Sequence, residues 1–99
     1  MQYVITAYDG TDPDAIDRRL DAREAHIRLC DELKAKGHIL FGAALLDEND
    51  QMAGSVMIVD FDSQKDLEDW LDEEPYVTGN VWVDIEIAPC RVGPSFVVQ

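Results

Sequence analysis

The hydrophobic period of this chain changes from that of a strand to that of a helix and back, twice, with two strands in succession between the helices. That order constrains the fold more than any composition figure. Tyr3-Val4-Ile5-Thr6-Ala7-Tyr8 is rich in β-branched and aromatic residues and reads as a strand. Asp9-Gly10-Thr11-Asp12-Pro13 ends it, with Asp12 placed to cap a helix that has Pro13 at its first position. From about Asp14 to Lys36, Ile16, Leu20, Ile27, Cys30 and Leu33 recur at helical spacing, and Gly37 supplies the stop. Two strands follow, one from Ile39 to Leu46 and one from Ser55 to Phe61, separated by the polar turn Asp47 to Gln51. Ser63 with Asp66 resembles a capping box, and Leu67, Trp70 and Leu71 share one face of a short helix that ends before Pro75. Val81 to Ile87 alternates as a fourth strand, and Ser95-Phe96-Val97-Val98 reads as a further short one. The order β-α-β-β-α-β predicts an α+β, ferredoxin-like domain spanning residues 1–99. Both helices should pack on one face of a four-stranded antiparallel sheet.

The opposite face carries its own prediction. In the fourth strand Val81, Val83, Ile85 and Ile87 point one way, and Trp82, Asp84 and Glu86 the other. The third strand sets Val56 and Ile58 against Met57, Val59 and Phe61, so it is apolar on both sides. An antiparallel sheet facing water alternates more cleanly than this. A broad apolar sheet face is an interaction surface, and two such faces packed about a twofold axis make a homodimer. The alternative is a C-terminal tail folded back over the face of a monomer.

Charge narrows the partners. The 99 residues carry 21 acids and 8 Lys or Arg, a net charge of −13. Such a surface repels nucleic acid and anionic lipid at long range, so neither is expected as a partner. Cys30 and Cys90 form no metal-binding spacing and require no bridge. The first residues lack a basic segment and a long apolar run, so a signal peptide and a membrane span are not expected, and the cytoplasm is the expected compartment.

Against that acidic background, six of the eight cationic residues lie between positions 18 and 36. The first helix is therefore the basic element. Arg19, Arg23, His26, Cys30 and Leu33 form one stripe along it, overlapping the side marked by Ile16 and Ile27. Charges turned toward a core need acids or an anion nearby. One explanation is a structural ion-pair network with a satisfied core histidine. The other is a pocket between helix and sheet edge, with arginines for an anionic ligand and His26 for proton transfer. Glu73-Glu74-Pro75-Tyr76, at the exit of the second helix, brings a carboxylate that could meet His26 and fix its tautomer; read plainly, it is a solvated acidic loop.

An ordered set of residues along nearly the whole chain resembles the YCII-related (YciI-like) family. It comprises Tyr3-Val4-Ile5, Asp9, Arg19, Arg23-x-x-His26, Gly37-x-x-x-x-Gly42, Gly54-Ser55, Pro75-Tyr76-Val77 and Pro89. The resemblance implies ferredoxin-like subunits paired as a dimeric α/β barrel, with a His–Asp pair in a pocket beside the sheet. His26 matches the family histidine by position. Glu74 stands where the aspartate is usual, and Ala43 where a proline often follows Gly42. The extra methylene of Glu74 displaces the carboxylate by about a bond length, enough to alter rate or substrate. The resemblance implies a cofactor-free enzyme of lyase or isomerase type. His26 and Glu74 would be its catalytic pair, and Arg19, Arg23, Asp9 and Tyr76 would surround a small cyclic or aromatic anion. No metal site is expected. The competing expectation is a non-catalytic small-molecule-binding or accessory dimer.

Overall fold

A computed structural model describes residues 1–96. It contains strands β1 (Gln2–Asp9), β2 (Ile39–Leu46), β3 (Met52–Asp60) and β4 (Trp82–Cys90). The helices are α1 (Ala15–Ala35), α2 (Gln64–Glu73) and α3 (Pro75–Thr78). The strands form one antiparallel sheet in the order β2-β3-β1-β4, the ferredoxin-like arrangement that the element order predicts. No helix among the described residues is long and apolar enough to cross a membrane.

Alternation along the strands builds the core. Tyr3, Ile5 and Ala7 of β1 stand opposite Val59, Met57 and Ser55 of β3, and these pairs are buried beneath the helices. Ile39, Phe61, Leu67, Trp70, Tyr76, Val81 and Trp82 complete that cluster. Two glycines answer particular demands. Gly37 takes φ +80° just past α1, where a side chain would be strained. A Cβ on Gly54 would lie 2.5 Å from the Ala7 carbonyl oxygen, so glycine permits the close approach of β1 and β3.

Several local expectations are corrected. Asp14, not Asp12, precedes the first residue of α1, and Pro13 lies outside the helix. The Asp12 carboxylate is bound by Arg18, at 2.7 and 2.8 Å, and also accepts from the Asp14 amide at 3.3 Å. That guanidinium holds the Asp12 carboxyl down at about 2. The apolar stripe assigned to α1 holds in part: Cys30 and Leu33 pack on the core as expected, but Leu20 is 53% and Ile27 39% exposed, and Ala22 and Leu29 pack there in their place. The helix turns Arg19 inward because the sheet beneath it supplies acceptors. Glu74-Pro75-Tyr76 is no plain loop. Glu74 caps α3, with Pro75 at its first position. Ser63 does cap α2, accepting from the Asp66 amide at 3.1 Å.

Trp82 also changes sides. A bulge between Tyr8 and Asp9 sets Tyr8 opposite Asp84 but Asp9 opposite Trp82. The extra residue on β4 reverses the alternation, so Trp82 joins Asp9 on the helix-covered face. At the C-terminal end, Ser95 and Phe96 belong to a 3₁₀ turn, Pro94–Phe96, in place of the expected strand. The rest of that expectation, Val97 and Val98, lies outside the described residues. The Val92 amide donates to Gln2 Oε1 at 2.7 Å, which ties this segment to one end of the other sheet face. Phe41, on that face, remains 55% exposed.

Candidate active site

The pocket lies between α1 and the edge strand β2, a cavity of about 500 Å³. Its polar wall descends from α1 through Arg19, Arg23 and His26. Gly42, Ala43 and Ala44 of β2 form the opposite wall, and Ser55, Met57 and Tyr76 contribute from beneath and beside it.

Two polar groups anchor the site. The first is a buried network under Arg19, which is 3% exposed. Arg19 Nη1 donates to both oxygens of Asp9, at 2.9 and 3.0 Å, and Nη2 donates to Ser55 Oγ at 2.9 Å. Trp82 Nε1 donates to the same hydroxyl at 3.1 Å. The bulge therefore has a local function: it brings Trp82 to the face where Asp9 already stands by the alternation of β1 and where Arg19 enters. A buried guanidinium needs a charge partner and engaged donors; this network supplies the partner and occupies both Nη atoms, while Nε has no partner among the described residues.

The second group is the contact between His26 Nδ1 and Glu74 Oε1. Glu74 is fully buried, at 0% exposure. The same Oε1 accepts from the Tyr76 amide at 3.2 Å, while Oε2 has no partner among the described residues. The imidazole stacks on the Tyr76 ring at 3.9 Å with an interplanar angle of 16°. On the other side of the network, the Arg19 guanidinium lies 4.7 Å from the same ring's centre. Burial raises the Tyr76 phenol above its ordinary range, and Arg19 and Arg23 pull it back.

With Nδ1 engaged by a carboxylate, a neutral His26 carries its proton there and presents Nε2 as the basic nitrogen. Cys30 Sγ lies 3.5 Å from Nε2. Burial pushes the Cys30 thiol up to about 12, with the charges of Glu74 and Asp31 adding to the effect. At neutral pH it is a protonated thiol beside the imidazole and a poor nucleophile. Ligand atoms of His26, Cys30 and Glu74 all lie within 4.8 Å of one another. Nδ1 and Oε1 engage each other, so the geometry is that of a carboxylate–imidazole pair.

The residues singled out from sequence separate into distinct places. Asp9 meets Arg19, and Glu74 and Tyr76 meet His26. Arg23 is exposed at the pocket, where Lys34 also lines it. Ser55 and Trp82 were missed. A lone serine among the inward-facing apolar residues of β3 is the signal for Ser55. Trp82 gives none, because the bulge that turns it inward has no sequence mark.

Fold and site together define the class: a ferredoxin-like α+β protein with a lateral pocket holding a buried carboxylate–imidazole pair. The YCII-related domain profile matches residues 1–91, and the chain belongs to that family. An uncharacterized protein of Haemophilus influenzae is 34% identical over 92% of this chain and 97% of its own length. Protein YciI of Escherichia coli is 33% identical with the same coverage. Among solved structures, 5-chloro-2-hydroxyhydroquinone dehydrochlorinase (TftG) of Burkholderia phenoliruptrix, in complex with 2,5-dihydroxybenzoquinone, superposes with a TM-score of 0.79. It is 21% identical, over 96% of this chain and 98% of that one.

Proposed function

We propose that the chain is a cofactor-free enzyme that performs general acid–base chemistry, elimination or isomerisation, on a small cyclic or aromatic anion. The observation that carries this reading is the buried Glu74 carboxylate on His26 Nδ1, in a cavity large enough for a single ring. Glu74 fixes the tautomer and stabilises the imidazolium that forms when Nε2 takes a proton. In an elimination the electron pair of the broken bond expels the leaving group. In an isomerisation the proton returns at another atom. Arg23 and Lys34 supply positive charge to draw an anion into an acidic protein. Arg19 is bound to Asp9, so it shapes and polarises the site without clamping a free carboxylate. The dehydrochlorinase of similar fold acts, by its name, on a chlorinated hydroxyhydroquinone, which makes chlorinated hydroxyquinols the first substrates to try.

In the same reading the protein is a cytoplasmic homodimer joined through the sheet face opposite the helices. Val4, Val56, Ile58 and Phe41 form the apolar part of that face, and the tail as far as Phe96 leaves Phe41 exposed.

The test is chloride release from 5-chloro-2-hydroxyhydroquinone, together with NMR titration of His26 in the presence of small aromatic acids. Turnover that disappears in His26→Ala, with the fold retained, supports the reading. A His26 resonance that ignores every anion, in a protein without turnover, refutes it. A ligand-dependent His26 shift without turnover of any substrate tried favours the binding module.

A further inference from the structure

The Ser55 hydroxyl has one proton and two lone pairs. Arg19 Nη2 and Trp82 Nε1 can only donate, and both donate to Ser55 Oγ, at 2.9 and 3.1 Å. Both acceptor positions are thereby filled by the protein. In none of its hydrogen bonds among the described residues does the Ser55 hydroxyl act as donor, yet Ser55 lines the cavity that His26 also lines. The remaining tetrahedral direction of the oxygen is left for its proton. Ser55 is 96% buried, so this is a desolvated donor and not a surface hydroxyl.

We propose that Ser55 donates its hydroxyl proton to an oxygen of the ligand, and that the ligand class is one with a carbonyl, enolate or phenolate oxygen on its ring. This rests on the acid–base reading of the site and adds to it the group that receives the developing charge. When His26 Nε2 removes a ring C–H or hydroxyl proton, the electron pair left behind delocalises onto a conjugated carbonyl oxygen. That oxygen becomes an enolate and accepts the Ser55 O–H bond; no oxidant or reductant is required. The guanidinium bonded to Oγ draws electron density from the hydroxyl and makes it a stronger donor. Asp9 holds that guanidinium from its other nitrogen and fixes its direction. Trp82 closes the second lone pair, so the hydroxyl cannot rotate to offer an acceptor. A ligand presenting an N–H donor to this point would be rejected.

Two measurements test the assignment. In a neutron structure of the deuterated protein, Ser55 deuterium directed into the cavity supports it. Deuterium directed at a main-chain carbonyl overturns it. Separately, 2,5-dihydroxybenzoquinone is titrated into wild type, Ser55→Ala and Ser55→Thr, with near-ultraviolet circular dichroism as the check on folding. Loss of one hydrogen bond to a charged acceptor predicts roughly 10- to 100-fold weaker binding for Ser55→Ala, with Ser55→Thr restoring most of it. Equal affinity in a folded Ser55→Ala overturns the proposal. If the quinone fails to bind wild type, the substrate class proposed above fails, and the neutron density alone decides the direction of the Ser55 proton.

Discussion

Removing Asp9 isolates a charge that the fold has carried out of water. Asp9 and Arg19 are both buried, joined by two hydrogen bonds of 2.9 and 3.0 Å. Asp9→Ala leaves the guanidinium with Ser55 as its remaining hydrogen-bond partner and the Tyr76 ring beside it. Breaking a buried pair from one side costs about 3–5 kcal/mol, because the surviving charge loses its counter-ion without regaining solvent. A domain of this size has about 5–15 kcal/mol in all, so the variant should sit close to the unfolding threshold. The corresponding fall in Tm is roughly 12–40 °C. Asp9→Ala combined with Arg19→Met removes both charges and fills the space with an apolar chain, so it should recover a large part of the loss. Urea unfolding followed by tryptophan fluorescence gives both numbers, since Trp82 reports from the network itself. If the single variant loses less than about 1 kcal/mol, or the double is no more stable than the single, the pair is not the desolvated charge couple described here.

Three further outcomes follow from other parts of the molecule. Because the Cys30 thiol is raised from 9.0 to about 12 in the fold, the unfolded chain releases that proton first, so stability should fall between those pH values. Cys30→Ala should flatten the decline in pH-dependent urea melts, and Glu74→Gln should speed alkylation of Cys30 by removing one of the charges that raise its pKa. Gly54→Ala forces a Cβ against the Ala7 carbonyl, a backbone contact that cannot swing aside, and should cost about 1–3 kcal/mol by calorimetry. Phe41→Asp, on the exposed sheet face, should yield a monomer of unchanged secondary structure in sedimentation experiments. A wild type that already sediments as a monomer would remove the homodimer from the proposed function.

The order of elements was legible because strand and helix periods differ and the turns carry Gly, Pro and Asp. Which side of each element faces the core was less so. Leu20 and Ile27 read as core residues by hydropathy and are exposed, and Arg23 of the inward stripe is exposed too; the inward turn of Arg19 was legible from that stripe, but its partner Ser55 was not. No local pattern carries a partner 36 residues away in sequence. Trp82 shows the same gap in a strand, where one inserted residue inverts the alternation from which its direction was read. The meeting of His26 with Glu74 was foreseen as a possibility of topology. That Glu74 is a helix cap, and wholly buried, required coordinates, because three successive acids look like a surface run.

Glu74 Oε1 is shared between the Tyr76 amide and the imidazole, and the Tyr76 ring is what that imidazole rests on. Acceptor and seat thus belong to one tripeptide, Glu74-Pro75-Tyr76, stiffened by its proline. A displacement of that segment against the sheet would carry both His26 contacts with it. Neutral drift meets the opposite situation. A substitution at position 74 undoes a helix start and a histidine tether together, so divergence in ligand preference has an easier route through the outer side chains Arg23 and Lys34.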